Sequence, residues 1–346
     1  MGRGRRDIIS IQAKKERHNK FYNLDPEVKR LYHIHIAEHE RPRPLLWREN
    51  FQERIDYAVS MYESAVSRID WLNDDFIPFA TCVTGTEIFA EALGSKVIKP
   101  VNDMPFALPF ITKPSEIANI KAPALEDSSL FYLFDMADKI KAACGGDALL
   151  GLIDVQTPMD IAALIWDKNY FFIAMLEEPE AVKELAHKIS GLYYAFFDEW
   201  FKRYGNEFIA HYPDYYMPSG FTFSEDEVGA VSPEIFEQLF LPELIEMSDR
   251  YGILGMHCCA NAEHQWENFK KIPNLKMLNL VQPYQTMVKS SAFFAGHSAQ
   301  YPGWGGTGEQ DTWFSQLDSN AHVCLDFWVQ NDDEAKRLAD KLALSN

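Results

Sequence analysis

The stretch Tyr251-Gly252-Ile253-Leu254-Gly255-Met256-His257-Cys258-Cys259 joins the end of a helix, a glycine stop and a short apolar run that closes on soft ligand residues. The helix before it begins at Ser232-Pro233, as N-cap and first helical position, and runs to Tyr251 with Gly252 as its stop. The apolar run from Ile253 to Cys258 reads as a buried strand. On a strand, His257 and Cys259 share a face and Cys258 points away. A second short run, Ala321-His322-Val323, ends in Cys324 and reads as another buried strand, Ala321 to Leu325. Imidazole and thiolate are groups that zinc selects, with three protein ligands and one open position in a catalytic site. His257, Cys259 and Cys324 are therefore the candidate metal ligands. The competing reading is that the cysteines fill a core, where free thiols are common.

Outward from this unit, the chain alternates short strands with helices. An amphipathic helix is expected over Phe51 to Ile69, with Phe51, Ile55, Ala58, Tyr62, Ala65 and Ile69 on one stripe. Phe76 to Val83 reads as a strand and Glu87 to Leu93 as a helix closed by Gly94. Asn102 to Leu125 is rich in proline, lacks a period and reads as a surface excursion. Leu149 to Ile153 is the next strand, with Pro158 near the start of a helix. Pro179 opens a long helix to Tyr204 that Gly205 ends. Strands follow at Phe208 to Tyr212 and Lys276 to Val281, with a further one at Phe293-Phe294-Ala295, and a helix at Glu263 to Lys271. A last helix spans Asp332 to Leu344, with Asn331 and Glu334 as a capping box.

Strand–helix alternation is the pattern of a parallel sheet. The chain holds no GxGxxG or GxxxxGK[ST] turn of a doubly wound nucleotide-binding sheet. The count of units suits an α/β (β/α)8 TIM barrel, residues 51–346, preceded by an N-terminal arm and helical extension, residues 1–50. Sites in such barrels lie at the C-terminal strand ends, where His257, Cys259 and Cys324 would sit.

Composition narrows the classes. The 346 residues are 47% hydrophobic and carry a net charge of −18, which argues against nucleic-acid binding by the body of the protein. The basic segment Met1 to Lys20 reads as a solvated arm. No apolar stretch reaches the length of a membrane span, and the first twenty residues lack an apolar signal core. Five irregularly spaced cysteines do not describe a disulfide framework, so the expectation is a cytoplasmic protein with reduced thiols.

Asp154 ends a strand and is a candidate for substrate contact. Glu225, Asp226 and Glu227 precede the Ser232 cap and could supply an acid/base or metal-orienting carboxylate, Glu225 being the catalytic candidate, although a solvated loop is the plainer reading. His211 and His264 read as packed or exposed side chains, and the stretch His297 to Gly308 as a loop near the mouth.

These residues in order resemble the uroporphyrinogen decarboxylase superfamily, closest to its zinc-dependent corrinoid methyltransferase branch. The landmarks are Thr84-Gly85-Thr86-Glu87 with Ala90-Glu91-Ala92-Leu93-Gly94, the Asp154 to Pro158 turn, Ser232-Pro233-Glu234 with Leu241-Pro242, and the His257-Cys258-Cys259 strand end. The likeness spans roughly Glu53 to Leu344. It implies zinc on His257, Cys259 and Cys324, with Gln282 at the strand end where the fourth ligand would come and Cys82 as substitute should Cys324 be displaced. It further implies methyl transfer between a small molecule (a methoxylated or methylated compound, or a thiol) and a corrinoid (cobalamin) carried on a partner protein. The decarboxylase's Arg-rich substrate loop has no counterpart, the nearest stretch being Arg41-Pro42-Arg43-Pro44-Leu45-Leu46-Trp47-Arg48. The alternatives are a metal-free decarboxylase-like enzyme and a non-catalytic barrel that binds a corrinoid partner.

Overall fold

The computed structural model describes residues 9–304 and 314–343. Eight barrel strands are β1 (Arg30–Ile36), β2 (Phe79–Thr81), β3 (Leu149–Gly151), β4 (Phe221–Ser224), β5 (Leu254–Cys258), β6 (Leu275–Gln282), β7 (Ala299–Gln300) and β8 (Val323–Val329). One parallel sheet runs β1-β8-β7-β6-β5-β4, and β2 pairs with β3 in a second. Backbone hydrogen bonds from the segment before β2 and the segment after β3 link the second sheet to the two edges of the first. Asp75 N–H donates to Tyr32 O on β1 at 2.8 Å, while Ser224 N–H donates to Val155 O at 2.9 Å and Thr157 N–H to Ser224 O at 3.2 Å. The ring is that of a (β/α)8 barrel, as the alternation of elements predicts. A short antiparallel hairpin, Phe208–Ile209 with Tyr216–Met217, is inserted between β3 and β4 and pairs with β3.

The helix signals act as their chemistry requires. Thr157 Oγ1 accepts the Asp160 N–H at 3.2 Å and Asn331 Oδ1 accepts the Glu334 N–H at 3.1 Å, so each satisfies a first-turn donor that has no partner within the helix. The helix Pro179–Tyr204 ends at Gly205 with φ +89°, a conformation costly for other residues. Its aromatic face packs inward against Phe89 of an earlier helix, with Tyr193, Phe196, Phe197 and Trp200 all buried. The helix from Pro233 to Tyr251 is not continuous: a π-helical turn at Phe236–Phe240 interrupts it. Pro242 cannot donate to the Gln238 carbonyl one turn earlier, and the widened turn accommodates that gap.

Several expectations are corrected. The barrel begins at β1, inside the segment read as an extension. Its polar alternation, His33 and His35 among Leu31, Ile34 and Ile36, obscures a strand that is almost wholly covered. The basic segment is not a solvated arm from residue 11 onward. Ile11–Tyr22 is a helix whose Lys14 is buried, with Nζ 3.1 Å from Asp74 and 3.0 Å from Phe76 O, and whose Arg17 pairs with Asp75 at 2.6 Å. Phe293 ends the helix Tyr284–Phe293, and the strand lies later, at β7. The excursion is not without strands: its Phe106–Leu108 pairs antiparallel with Lys96–Ile98, which precedes it. Finally, β8 continues through Asp326 to Val329 instead of stopping at Leu325. The charge in mid-strand is tolerated because it faces partners inside the barrel. Of the glycine-rich loop, Gly303 pairs with Val281, while residues 305–313 lie outside the described residues. No described helix is long and apolar enough to cross a membrane.

Candidate functional site

At the C-terminal strand ends a cavity of about 780 Å³ opens, lined among others by His35, Arg43, Asp154, His211, Asp226, His257, Tyr301 and Asp326. On one wall, ligand atoms of Asp226, His257 and Cys259 all lie within 4.8 Å of one another. A nitrogen, a thiol sulfur and a carboxylate oxygen this close form a donor set that suits zinc. The residues fit the metal.

Each donor is held from behind. His257 is the last residue but one of β5, with Nδ1 hydrogen-bonded to Asn279 Oδ1; the Asn279 amide is in turn oriented because its Nδ2 donates to Tyr301 O. An amide fixed that way makes His257 Nδ1 the protonated nitrogen and leaves Nε2 as the lone-pair donor. Cys259 follows the strand end, exposed, and its N–H donates to Asp226 Oδ1 at 2.6 Å. Without a metal its thiol is pushed up to about 12 by burial and by the Asp226 carboxylate beside it. Asp226 lies two residues past β4, and its own N–H donates to Asp160 Oδ2 at 2.8 Å. The Tyr212 ring stands edge-on to His257, centroids 4.9 Å apart.

The pair expected on β5 is thus together, and Cys258 is fully buried with its thiol pushed well up by burial. Cys324 is not with them. It is the second residue of a seven-residue strand, fully buried, with Sγ 3.9 Å from His33 Nε2. Asp226, from the acidic run, stands as the third donor instead. Cys82 does not replace Cys324 either: it is buried on another wall, its thiol pushed up to about 12 by burial. Gln282 donates from Nε2 to the Cys259 and Ala260 carbonyls at 2.9 and 2.8 Å, bracing the turn that carries Cys259. Glu225 is fully buried behind the wall, bonded to Thr157 Oγ1 at 2.6 Å, and burial followed by the neighbouring Asp160 drives its carboxyl well above the usual range. It therefore touches no substrate in the cavity.

Asp154 does face the cavity. Its N–H donates to Thr84 Oγ1 at 2.9 Å, and burial raises its carboxyl to about 6 against the pull of Arg43. His211 is packed as expected, Nδ1 3.1 Å from Thr222 Oγ1 and Nε2 2.8 Å from Ser224 Oγ, and burial keeps it neutral. His264 and His297 are likewise engaged, with the carbonyls of Val231 and Lys270.

The wall opposite the metal donors went unread in the sequence. His35 Nε2 lies 3.0 Å from Asp326 Oδ1, and its ring stacks on Trp328 at 4.7 Å. Burial alone would lower the imidazole, but the bond and charge of Asp326 outweigh it and raise His35. Tyr301 donates its hydroxyl to the same carboxylate. The signal was the spacing of His33 and His35, two apart on one strand face, matched by Cys324 and Asp326 on the strand that pairs with it.

No curated protein sequence matches the chain. Among solved structures it is similar to a methyltransferase from Methanosarcina mazei, with a TM-score of 0.67 at 11% identity, over 95% of this chain and 99% of that one. That likeness shows a shared fold. The sequence model of the family described as uroporphyrinogen decarboxylase (URO-D) matches residues 49–282, more than half of the chain. The chain belongs to the uroporphyrinogen decarboxylase family.

Proposed function

We propose that the protein is a zinc-dependent methyltransferase that moves a methyl group between a small molecule and a corrinoid protein. The observation that carries this reading is the convergence of Asp226, His257 and Cys259 donor atoms at the barrel mouth. The methyltransferase from Methanosarcina mazei, a match along nearly its whole length, supports the same class of reaction. Zinc held by these three residues supplies Lewis acidity, which keeps a substrate thiol ionised or draws charge from a departing oxygen.

The chain's own groups divide the remaining work. His257 offers Nε2 because Asn279 occupies Nδ1, and Asp226 and Cys259 add the charge that favours a divalent cation. Asp154, titrating near 6, holds a proton at its carboxyl in mildly acid solution and can exchange it with a substrate oxygen or sulfur in the cavity. His35, raised by the bond and charge of Asp326 against its own burial, stands paired with that carboxylate on the opposite wall. The small molecule is a methoxylated or methylated compound, or a thiol that accepts the methyl group. Five free cysteines agree with a cytoplasmic setting.

The test is metal analysis of protein purified without added zinc, beside Cys259→Ala, with methylcobalamin demethylation followed in the presence of thiols. Stoichiometric zinc in the parent and its loss in the variant are expected. A parent that takes up no zinc overturns the reading.

A further inference from the structure

Two of the three metal donors are carried by a strand end; the third, Asp226, is on a loop. A loop carboxylate has to be held by something other than a β ladder. Asp160, in the first turn of the helix Pro158–Ile165, is 1% exposed and reaches neither the cavity nor solvent. Each of its oxygens takes a backbone N–H of that loop, Oδ2 that of Asp226 at 2.8 Å and Oδ1 that of Glu227 at 3.1 Å, and the carboxyl is also bonded to the Glu225 carboxyl. The residue before them is tied as well, since Glu225 N–H donates to His257 O at 2.9 Å.

The circuit then closes on itself. Thr157 Oγ1 accepts the Asp160 N–H at 3.2 Å and bonds Glu225 Oε2 at 2.6 Å, while Asp226 Oδ1 accepts the Cys259 N–H. Three successive loop N–H groups are therefore fixed, one by β5 and two by a single buried carboxylate. Two acceptor oxygens on one fixed side chain, each facing one of two successive N–H groups, set the direction of the loop as well as its position.

We infer that Asp160 is the positioning residue for the metal donor Asp226, giving its loop the fixed geometry that β5 gives His257 and Cys259. The inference rests on the metal reading above. Asp160→Asn tests it, because an amide can face only one of the two loop N–H groups with an acceptor. In chelator competition the variant is expected to bind zinc about 10- to 100-fold more weakly, the range typical when the partner of a metal ligand is removed. With cobalt(II) in place of zinc, the ligand-field bands should shift while the thiolate charge-transfer band from Cys259 persists. A merely structural role would lower the melting temperature without moving those bands. Should Asp160→Asn not fold, Thr157→Val takes its place with the same two measurements, and a weaker but real loss of zinc affinity is expected. Parental affinity and an unshifted cobalt spectrum in the folded variant overturn the inference and leave the metal reading standing. Absence of zinc binding in the parent overturns the metal reading itself.

Discussion

Strands β5 and β8 line the same barrel but arrange their polar residues differently. On β5 the interior face carries Gly255 and then His257 at the last turn of the ladder, level with Ser224 and Asn279 on its neighbours, and Cys259 follows at the mouth. On β8 the polar face starts low: Cys324 lies opposite Leu31, Asp326 opposite His33 and Trp328 opposite His35. The cysteine on β8 is therefore a layer below the cavity, and Asp326 is the residue that reaches it. Height along the strand, rather than residue type, decides which thiol can meet a metal. Burial makes the same distinction, since Cys324 is closed off and Cys259 is open.

Breaking each strand separately should expose this difference. Cys259→Ala is expected to lower zinc affinity at least about 100-fold in chelator competition, beyond what loss of an outer partner produces. Cys324→Ala should keep stoichiometric zinc by the same assay. Equal losses in both would refute the assignment of heights. Asp226→Asn should fall between them, with affinity reduced about 10-fold or more, because a neutral amide oxygen remains as a weaker donor. The effect of Cys324→Ala belongs to stability instead: about 1 kcal/mol from the emptied volume, read as a lower urea midpoint at unchanged slope.

The cavity also sets two carboxylates against each other. Burial raises Asp154 to about 6, whereas Asp326 is lowered because the bond and charge of His35 outweigh its own burial. Ionising Asp154 costs the native state as pH rises from its unfolded value near 3.8 through 6. Asp154→Asn should therefore match the parent near pH 4 and melt about 2–4 °C higher at pH 8. Asp326→Asn should do the reverse. The stability Asp326 contributes is present above its unfolded value and lost as pH falls through its lowered one, so the variant's deficit at pH 6 should vanish in acid. Melting curves across pH in which both variants move the same way would dismiss the contrast.

What was legible in the chain was local. Pro179 with Gly205, Ser232 with Pro233, and Asn331 with Glu334 mark helix ends through groups that act within one turn, and they stand where the spacing put them. The shared face of His257 and Cys259 follows from the two-residue repeat of a strand. What was hidden was held by distant partners. β1 carries two histidines that are covered only because Tyr301 and Asp326 bond them, and β8 runs past Asp326 for the same reason. Asp226 sat among three acidic residues with nothing local to single it out. It is set beside His257 and Cys259 by Asp160 and the Cys259 N–H, remote in sequence and near only after folding.

The pairing of β1 with β8 extends over seven residues and joins segments nearly 300 positions apart in sequence. During synthesis, β1 must wait without this neighbour until the residues up to Val329 have emerged, since contacts this distant in sequence form late. The wall of His35 and Asp326 is divided between those two strands, so it exists only in the closed ring. Asp226, His257 and Cys259 lie instead at or just past the ends of two adjacent strands, within little more than thirty residues of one another. The half of the cavity that carries the candidate metal donors is thus local in sequence, and the opposite half depends on the most distant strand pairing of the fold.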